Sequence, residues 1–358
     1  MQAVLDTAST DSFSEGRGGS VAATTQFEWT VVVLCTWLMS GAYLDAWAHR
    51  HLARLETFFT PWHAVLYSGM FAVLAFLAIN ALRNQAKGKA LSDVLPAGYG
   101  LSLIGCVLFG IGGVIDMFWH LRFGIEVSLA ALVSPPHLLL MFSLGLIVTG
   151  PLRAAWRRPG MRAPLTAIVS ASLLLSMFTF FDQFDQPLVN PWAAAQASSP
   201  STLAYVQQLG ILGIMVQTAL LMGVILYLLS RFTLPFGSLT LLVGLNGVML
   251  GSLEQHFELI AVAVVGGLLA DLAVLWLRPG PERVIALRVA SFVGPVAVSS
   301  LYLLVIELTR GIGWPVTLWL GSILVSGAIG FLLSCLTVHP QPPALIEIAR
   351  AAEGGRSV

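Results

Sequence analysis

Two stretches of the chain hold metal-ligating residue types in the same order. Residues 44–70 read LDAWAHRHLARLETFFTPWHAVLYSGM, and residues 115–141 read IDMFWHLRFGIEVSLAALVSPPHLLLM. Each contains Asp-x3-His, then a Glu, then Thr-Pro or Ser-Pro close before a final His. Asp45 and His49 recur as Asp116 and His120 after 71 positions, and His63 recurs as His137 after 74. The second connection is therefore three residues longer. Residues i and i+4 share one helix face, about 5–6 Å apart at Cβ. Asp45 can thus reach the same ion as His49, and Asp116 the same ion as His120. A short hairpin returns His63 or His137 to that level. Thr60-Pro61 and Ser134-Pro135 suit capped helix starts that hold the closing histidine in the first turn. One carboxylate and two imidazoles per hairpin suit Fe(II), Zn(II) or Cu(II). The lack of Cys or Met ligands argues against a site devoted to Cu(I). A single triplet reads more readily as a hydrogen-bonded helix end. Its recurrence at matched positions points to metal, and the tighter loop favours Asp45, His49 and His63.

Other polar residues surround these triplets. Glu56 and Glu126 are candidate acceptors that orient ring N–H groups, or simply solvated loop acids. His51 lies two residues beyond His49, so a regular helix aims it elsewhere. Trp47, Phe58, Phe59, Trp62, Phe118, Trp119 and Phe123 read as an interfacial aromatic belt, or as an apolar wall admitting a small substrate. In the second half, Asp182 and Asp185 could share a cation or a proton. Glu254 and His256, with Glu258 nearby, hold the same topological position as the Asp-x3-His motifs. Asp271 is the deepest acid of the chain and a functional candidate on that ground. Gln207, Gln208 and Asn246 suit hydrogen bonds between helices. FGIGG at 109–113 and VVGGLLA at 264–270 read as close helix packing.

The elements that must position these residues are membrane helices. The 358 residues are 57% hydrophobic and 10% charged, with mean hydropathy +0.84. A soluble domain carries about 25% charged residues. Apolar stretches here are long enough to cross a hydrocarbon core of roughly 30 Å. Ten spans are expected, at about 28–48, 61–83, 97–119, 134–154, 164–182, 204–231, 236–254, 257–277, 284–307 and 314–337. The fold class is an all-α polytopic bundle with repeated helical hairpins. With ten spans, fourteen Lys and Arg fall on the side of the termini and four on the other. That bias places both termini in the cytoplasm and the triplets at the outer face. Odd-numbered spans then end at that face with Asp45, Asp116, Asp182, Glu254 and Glu307. The expected organisation is a disordered tail over 1–26, a metal-binding four-helix repeat over 27–158, a six-helix region over 159–338 and a cytoplasmic tail over 339–358. Cys35, Cys106 and Cys335 read as apolar packers. A net charge of +0 gives no basis for nucleic-acid binding.

The segment Asp45-x3-His49 followed by FTPWHAVLYSG resembles the metal-binding hairpin of one membrane subunit of the copper-dependent methane and ammonia monooxygenases. That protein also repeats its hairpin, with Asp/His/His first and Asn/His/His second. The resemblance covers roughly residues 30–155. It implies that Asp45, His49 and His63 match the first metal site and that Asp116, His120 and His137 match the second. Asp116 stands where the family has asparagine, which makes that set harder and more anionic. Copper and hydroxylation chemistry are what the resemblance implies.

The leading expectation is a multi-span metalloprotein of a bacterial inner membrane that oxidises a small or lipophilic substrate. The lipid bilayer is its surroundings, with a homo-oligomer or other membrane subunits as partners. A proton- or metal-ion-coupled transporter and a non-catalytic metal-binding subunit are the alternatives. A polar path from the triplets to Asp271 would favour the transporter.

Overall fold

A computed structural model describes residues 23–52, 59–124, 129–158, 160–196 and 199–337. Glu56, Phe58 and Glu126 lie outside these residues, as do most of the expected tails. The described chain is helical, with no strand among the described residues.

The first hairpin pairs α1 (Thr25–His51) with α2 (Pro61–Ala86). The second pairs α3 (Gly100–Phe123) with α5 (Pro135–Val148), after a short α4 (Leu129–Val133) in the connection. Next come α6 (Gly150–Trp156), α7 (Leu165–Phe181), α8 (Pro200–Leu229), α9 (Ser238–Leu253), α10 (Phe257–Leu277), α11 (Val284–Thr309) and α12 (Val316–Thr337). Seven of these are long and apolar enough to span a membrane: α1, α2, α3, α8, α10, α11 and α12. The other three expected positions hold a bent helix pair and two shorter apolar helices, so ten full spans are not confirmed. The span expected at 134–154 is a broken pair, α5 and α6, bent by 46°. The spans expected at 164–182 and 236–254 are helices of 17 and 16 residues, about 24–26 Å long.

Both departures have physical causes. Pro151 has no N–H to offer the Ile147 carbonyl, so the helix opens there. Other groups satisfy the freed carbonyls. Ser102 donates to Leu146 and Ile147 at 3.2 and 3.0 Å, the Arg153 guanidinium reaches Leu146 at 2.9 Å, and Ser170 donates to Val148 at 2.6 Å. The two short helices sit inside the bundle. α7 packs against α1, α5, α6 and α9, and most residues of α7 and α9 are buried. A helix walled by other helices has little lipid to match in length. The outer helices instead expose large apolar side chains such as Phe71, Leu82, Trp276, Ile285, Leu308 and Leu336.

Each hairpin crosses on a glycine. A Cβ on Gly41 would lie 2.7 Å from the Leu66 Cα, and one on Gly69 would lie 2.7 Å from the Leu38 Cα. In the second hairpin a Cβ on Gly112 would lie 3.0 Å from the Leu140 side chain. Gly41 and Gly112 differ by 71 positions, and Leu66 and Leu140 by 74, the same offsets as the ligand residues. Small residues let membrane helices approach closely. Here the close approach falls one turn below Asp45 and Asp116.

Candidate metal centre

The structure brings each expected triplet together. Among the described residues, Asp45, His49 and His63 form one group, and Asp116, His120 and His137 form another. Within each group one ligand atom per residue lies within 4.8 Å of the others. His63 Nδ1 is 3.1 Å from Asp45 Oδ1, and His49 Nε2 is 3.7 Å from Asp45 Oδ2. In the second group, His120 Nε2 and His137 Nε2 stand 3.5 and 3.4 Å from one oxygen, Asp116 Oδ1. The ring centroids are 5.6 Å apart in the first group and 5.7 Å in the second.

Local structure aims these rings. Thr60 caps α2 by accepting from the His63 N–H at 3.1 Å, and its hydroxyl also meets His63 Nδ1 at 3.0 Å. Ser134 makes the matching contact with His137 Nδ1 at 2.6 Å, although its side chain caps no backbone N–H. His120 Nδ1 is 3.1 Å from the Gly124 carbonyl. A carbonyl can only accept, so Nδ1 carries the proton. The lone pair of His120 is then on Nε2, facing Asp116. Asp116 is 1% exposed, and its Oδ1 takes no hydrogen bond from a described residue. Asp45 Oδ1 is likewise buried without one.

These distances can be tested against a coordination shell. Bonds of about 2.0–2.2 Å in tetrahedral geometry place neighbouring ligand atoms about 3.3–3.6 Å apart. Three of the four nitrogen–oxygen separations fall in or within ~0.1 Å of that range, and the fourth is slightly shorter. The donor set fits a borderline divalent ion.

The two groups are neighbours. Asp116 lies close enough to Asp45, His49 and His63 to act electrostatically on all three. Tyr67 stands between them. Its ring stacks with His63 at 6.3 Å, meets Phe109 edge-on at 5.9 Å, and fills the space that a Cβ on Gly113 would need. The tyrosine feels both Asp116 and Asp45. The sequence reading missed Tyr67, although its place one turn after His63 was a signal.

The remaining candidates lie elsewhere. His51 Nδ1 is 2.9 Å from the Trp47 carbonyl, and its Nε2 is 3.9 Å from Glu254. It stacks on Trp47 at 5.2 Å. Glu254 pairs with Arg50, which also donates to Gln183. His256 and Glu258 both meet Arg310. Burial and the Arg310 guanidinium hold the His256 ring below the usual histidine range. These contacts gather the ends of α1, α7, α9, α10 and α11 on the triad face. Asp271 has a structural task. Its oxygens accept the backbone N–H groups of Leu239 and Thr240 at 3.0 and 2.8 Å and the Thr240 hydroxyl at 2.6 Å. It caps α9 from a different helix. Asn246 donates to Ser176 and Thr179, as expected for a bond between helices.

Asp182 and Asp185 face each other in the turn after α7. Asp185 is 1% exposed, and neither of its oxygens has a donor among the described residues. Burial raises both carboxyls, and the charge of Asp185 raises Asp182 further. Burial and the like charge both favour the protonated form of Asp182.

Comparison with family models, curated proteins and solved structures finds no match.

Proposed function

We propose that this protein is an integral membrane metalloprotein holding a transition ion in one or both of its triads. We read it as an oxidoreductase of the monooxygenase kind, acting on a small or lipophilic substrate. The observation that carries the metal reading is the twofold convergence of one carboxylate and two imidazoles around buried carboxylate oxygens that lack donors. A buried carboxylate oxygen without a hydrogen bond is costly, and a cation between it and the two rings removes that cost. A bound transition ion would supply Lewis acidity and a redox couple beside an apolar, membrane-embedded surface. The residues of the chain hold and orient. Gly124 fixes the His120 tautomer, Thr60 and Ser134 steady the closing rings, and Tyr67 packs between the two sets.

The resemblance to the copper-dependent monooxygenases favours copper, while iron and zinc suit the same donors. It also favours assembly with other membrane subunits, or with further copies of this chain. Counted over the ten apolar segments of the sequence, the Lys and Arg bias favours cytoplasmic termini with the triads facing outward, and a bacterial inner membrane is the setting we infer. The transporter reading is weaker, because Asp271 spends its oxygens on a helix cap and offers no onward step. Metal analysis of purified protein tests the proposal. The expected content is about one or two ions per chain, falling sharply in the double variant His49→Ala and His120→Ala. Unchanged content in that variant, or a metal-free protein that cannot be loaded, would sink it.

A further inference from the structure

Four helices of the second half stand around a gap. α8, α9, α10 and α11 line an apolar cavity of two chambers that share Leu221, Val243, Pro295 and Val298. The chambers hold about 590 and 530 Å³ of space not filled by atoms, part of it open to the surroundings. Along α8 the lining runs from Ile214 to Leu229, and its part beyond the first polar side chain runs from Gln217 to Leu229. At helical rise that is about 18 Å, slightly more than half of a ~30 Å hydrocarbon core. The lining therefore extends over about one leaflet's depth of hydrocarbon. No charged side chain occurs among the described lining residues.

The polar groups collect in the chamber nearer the triad face, which Pro187 and Leu188 close. Two of them are already spent. Thr218 donates to the Ile214 carbonyl, and Ser299 donates to Ser326. The other two are donors without an acceptor. The Gln217 carbonyl accepts from the Gln186 amide, and the Gln186 carbonyl is taken by the Leu188 N–H. That chain fixes the Gln217 amide, so its NH2 group is what it still has to offer. Tyr302 is 5% exposed and lines the same chamber, and no described residue hydrogen-bonds its hydroxyl. Ligand sites commonly pair an apolar cavity with a few placed polar groups.

We propose that this cavity binds a neutral, single-chain lipophile with a carbonyl head. The head oxygen accepts from the Gln217 amide and the Tyr302 hydroxyl, and the chain runs along α8 toward Leu229. A charged head would lie unpaired in an uncharged cavity, which is strongly unfavourable. The inference stands apart from the metal reading and needs no ion in either triad.

A decyl-substituted benzoquinone is a suitable probe, because quinones quench tryptophan fluorescence. Trp314 packs against Gly210 on α8, seven residues before Gln217. Titration of the detergent-purified protein should give saturable quenching. Tyr302→Phe and Gln217→Leu should each weaken binding about fivefold, the loss of one neutral hydrogen bond. Gly294→Leu should abolish binding by filling the inner chamber. A Cβ at Gly294 meets nothing within 4 Å, so this variant should fold. A methyl ketone of similar chain length should displace the probe, and the plain alkane should do so poorly. Absence of saturable quenching, or unchanged affinity in all three variants, overturns the proposal. Equal displacement by the alkane overturns recognition of the head.

Discussion

At the scale of single residues, the triads give the clearest expectations. Asp116 is a carboxylate shared by His120 and His137. Asp116→Asn should weaken metal binding at the second site by more than the roughly 10–100-fold that outer partners contribute, read by titration with the free ion. Ser134→Ala removes the hydroxyl on His137 Nδ1, opposite the Nε2 that faces Asp116, and should cost about 10–100-fold at the second site. The Asp182–Asp185 pair gives a pH signature. Both carboxyls are raised by folding. Their contribution is therefore fully present below the ordinary carboxylate range and is lost as pH rises toward and through neutrality. Asp185→Asn should flatten this decline in thermal melts followed from acid to neutral pH. A slope identical to that of the unaltered protein would show that the pair holds no proton. The ligands themselves were legible because i, i+4 spacing and a Thr-Pro or Ser-Pro helix start are local signals. Asp271 was not, because the N–H groups it caps belong to Leu239 and Thr240, some thirty residues earlier.

At the scale of elements, the hairpins depend on their crossing points. Gly41 admits Leu66, and Gly112 admits Leu140, each one turn from the carboxylate. Gly41→Ala adds a methyl where backbone stands 2.7 Å away. The helices must part, and such overpacking costs about 1–3 kcal/mol. The expected result is a weakened first site, with the second site less affected, although no ligand is altered. Metal titration of the single variants separates the two sites. The sequence displayed these glycines but not their partners, since contact across a hairpin is no short-range pattern. Ten full spans are not confirmed, for a related reason. Hydropathy treats 134–154 as one rod, whereas the chain bends at Pro151 and recruits Ser102, Arg153 and Ser170. Two interior helices are shorter than a span because protein, not lipid, surrounds them.

For the whole molecule, two ion pairs tie distant segments with different strength. Glu28 is nearly buried, pairs with Arg158 and accepts from Thr166. Removing a buried partner costs up to 3–5 kcal/mol. Arg158 is about a third exposed, so Glu28→Ala should sit nearer 2–3 kcal/mol after solvent screening. Glu254 and Arg50 are each 29% exposed, and Glu254→Ala should cost about 1 kcal/mol or less. Parallel unfolding in one detergent checks the order, and equal losses would contradict it. Membrane character was plain from composition. The joining of the halves, with α1 packed on α7 and α9, was not, because it lies between segments with no shared motif.

The glycine crossings carry one more consequence. The second connection is three residues longer than the first, yet the ring separations differ by only 0.1 Å between the triads. Helix contact, not the tether, therefore sets the geometry. A flexible tag spliced between Leu52 and Phe59 should leave metal affinity intact. The two halves of a chain severed there should still reassemble into a functional whole when produced together.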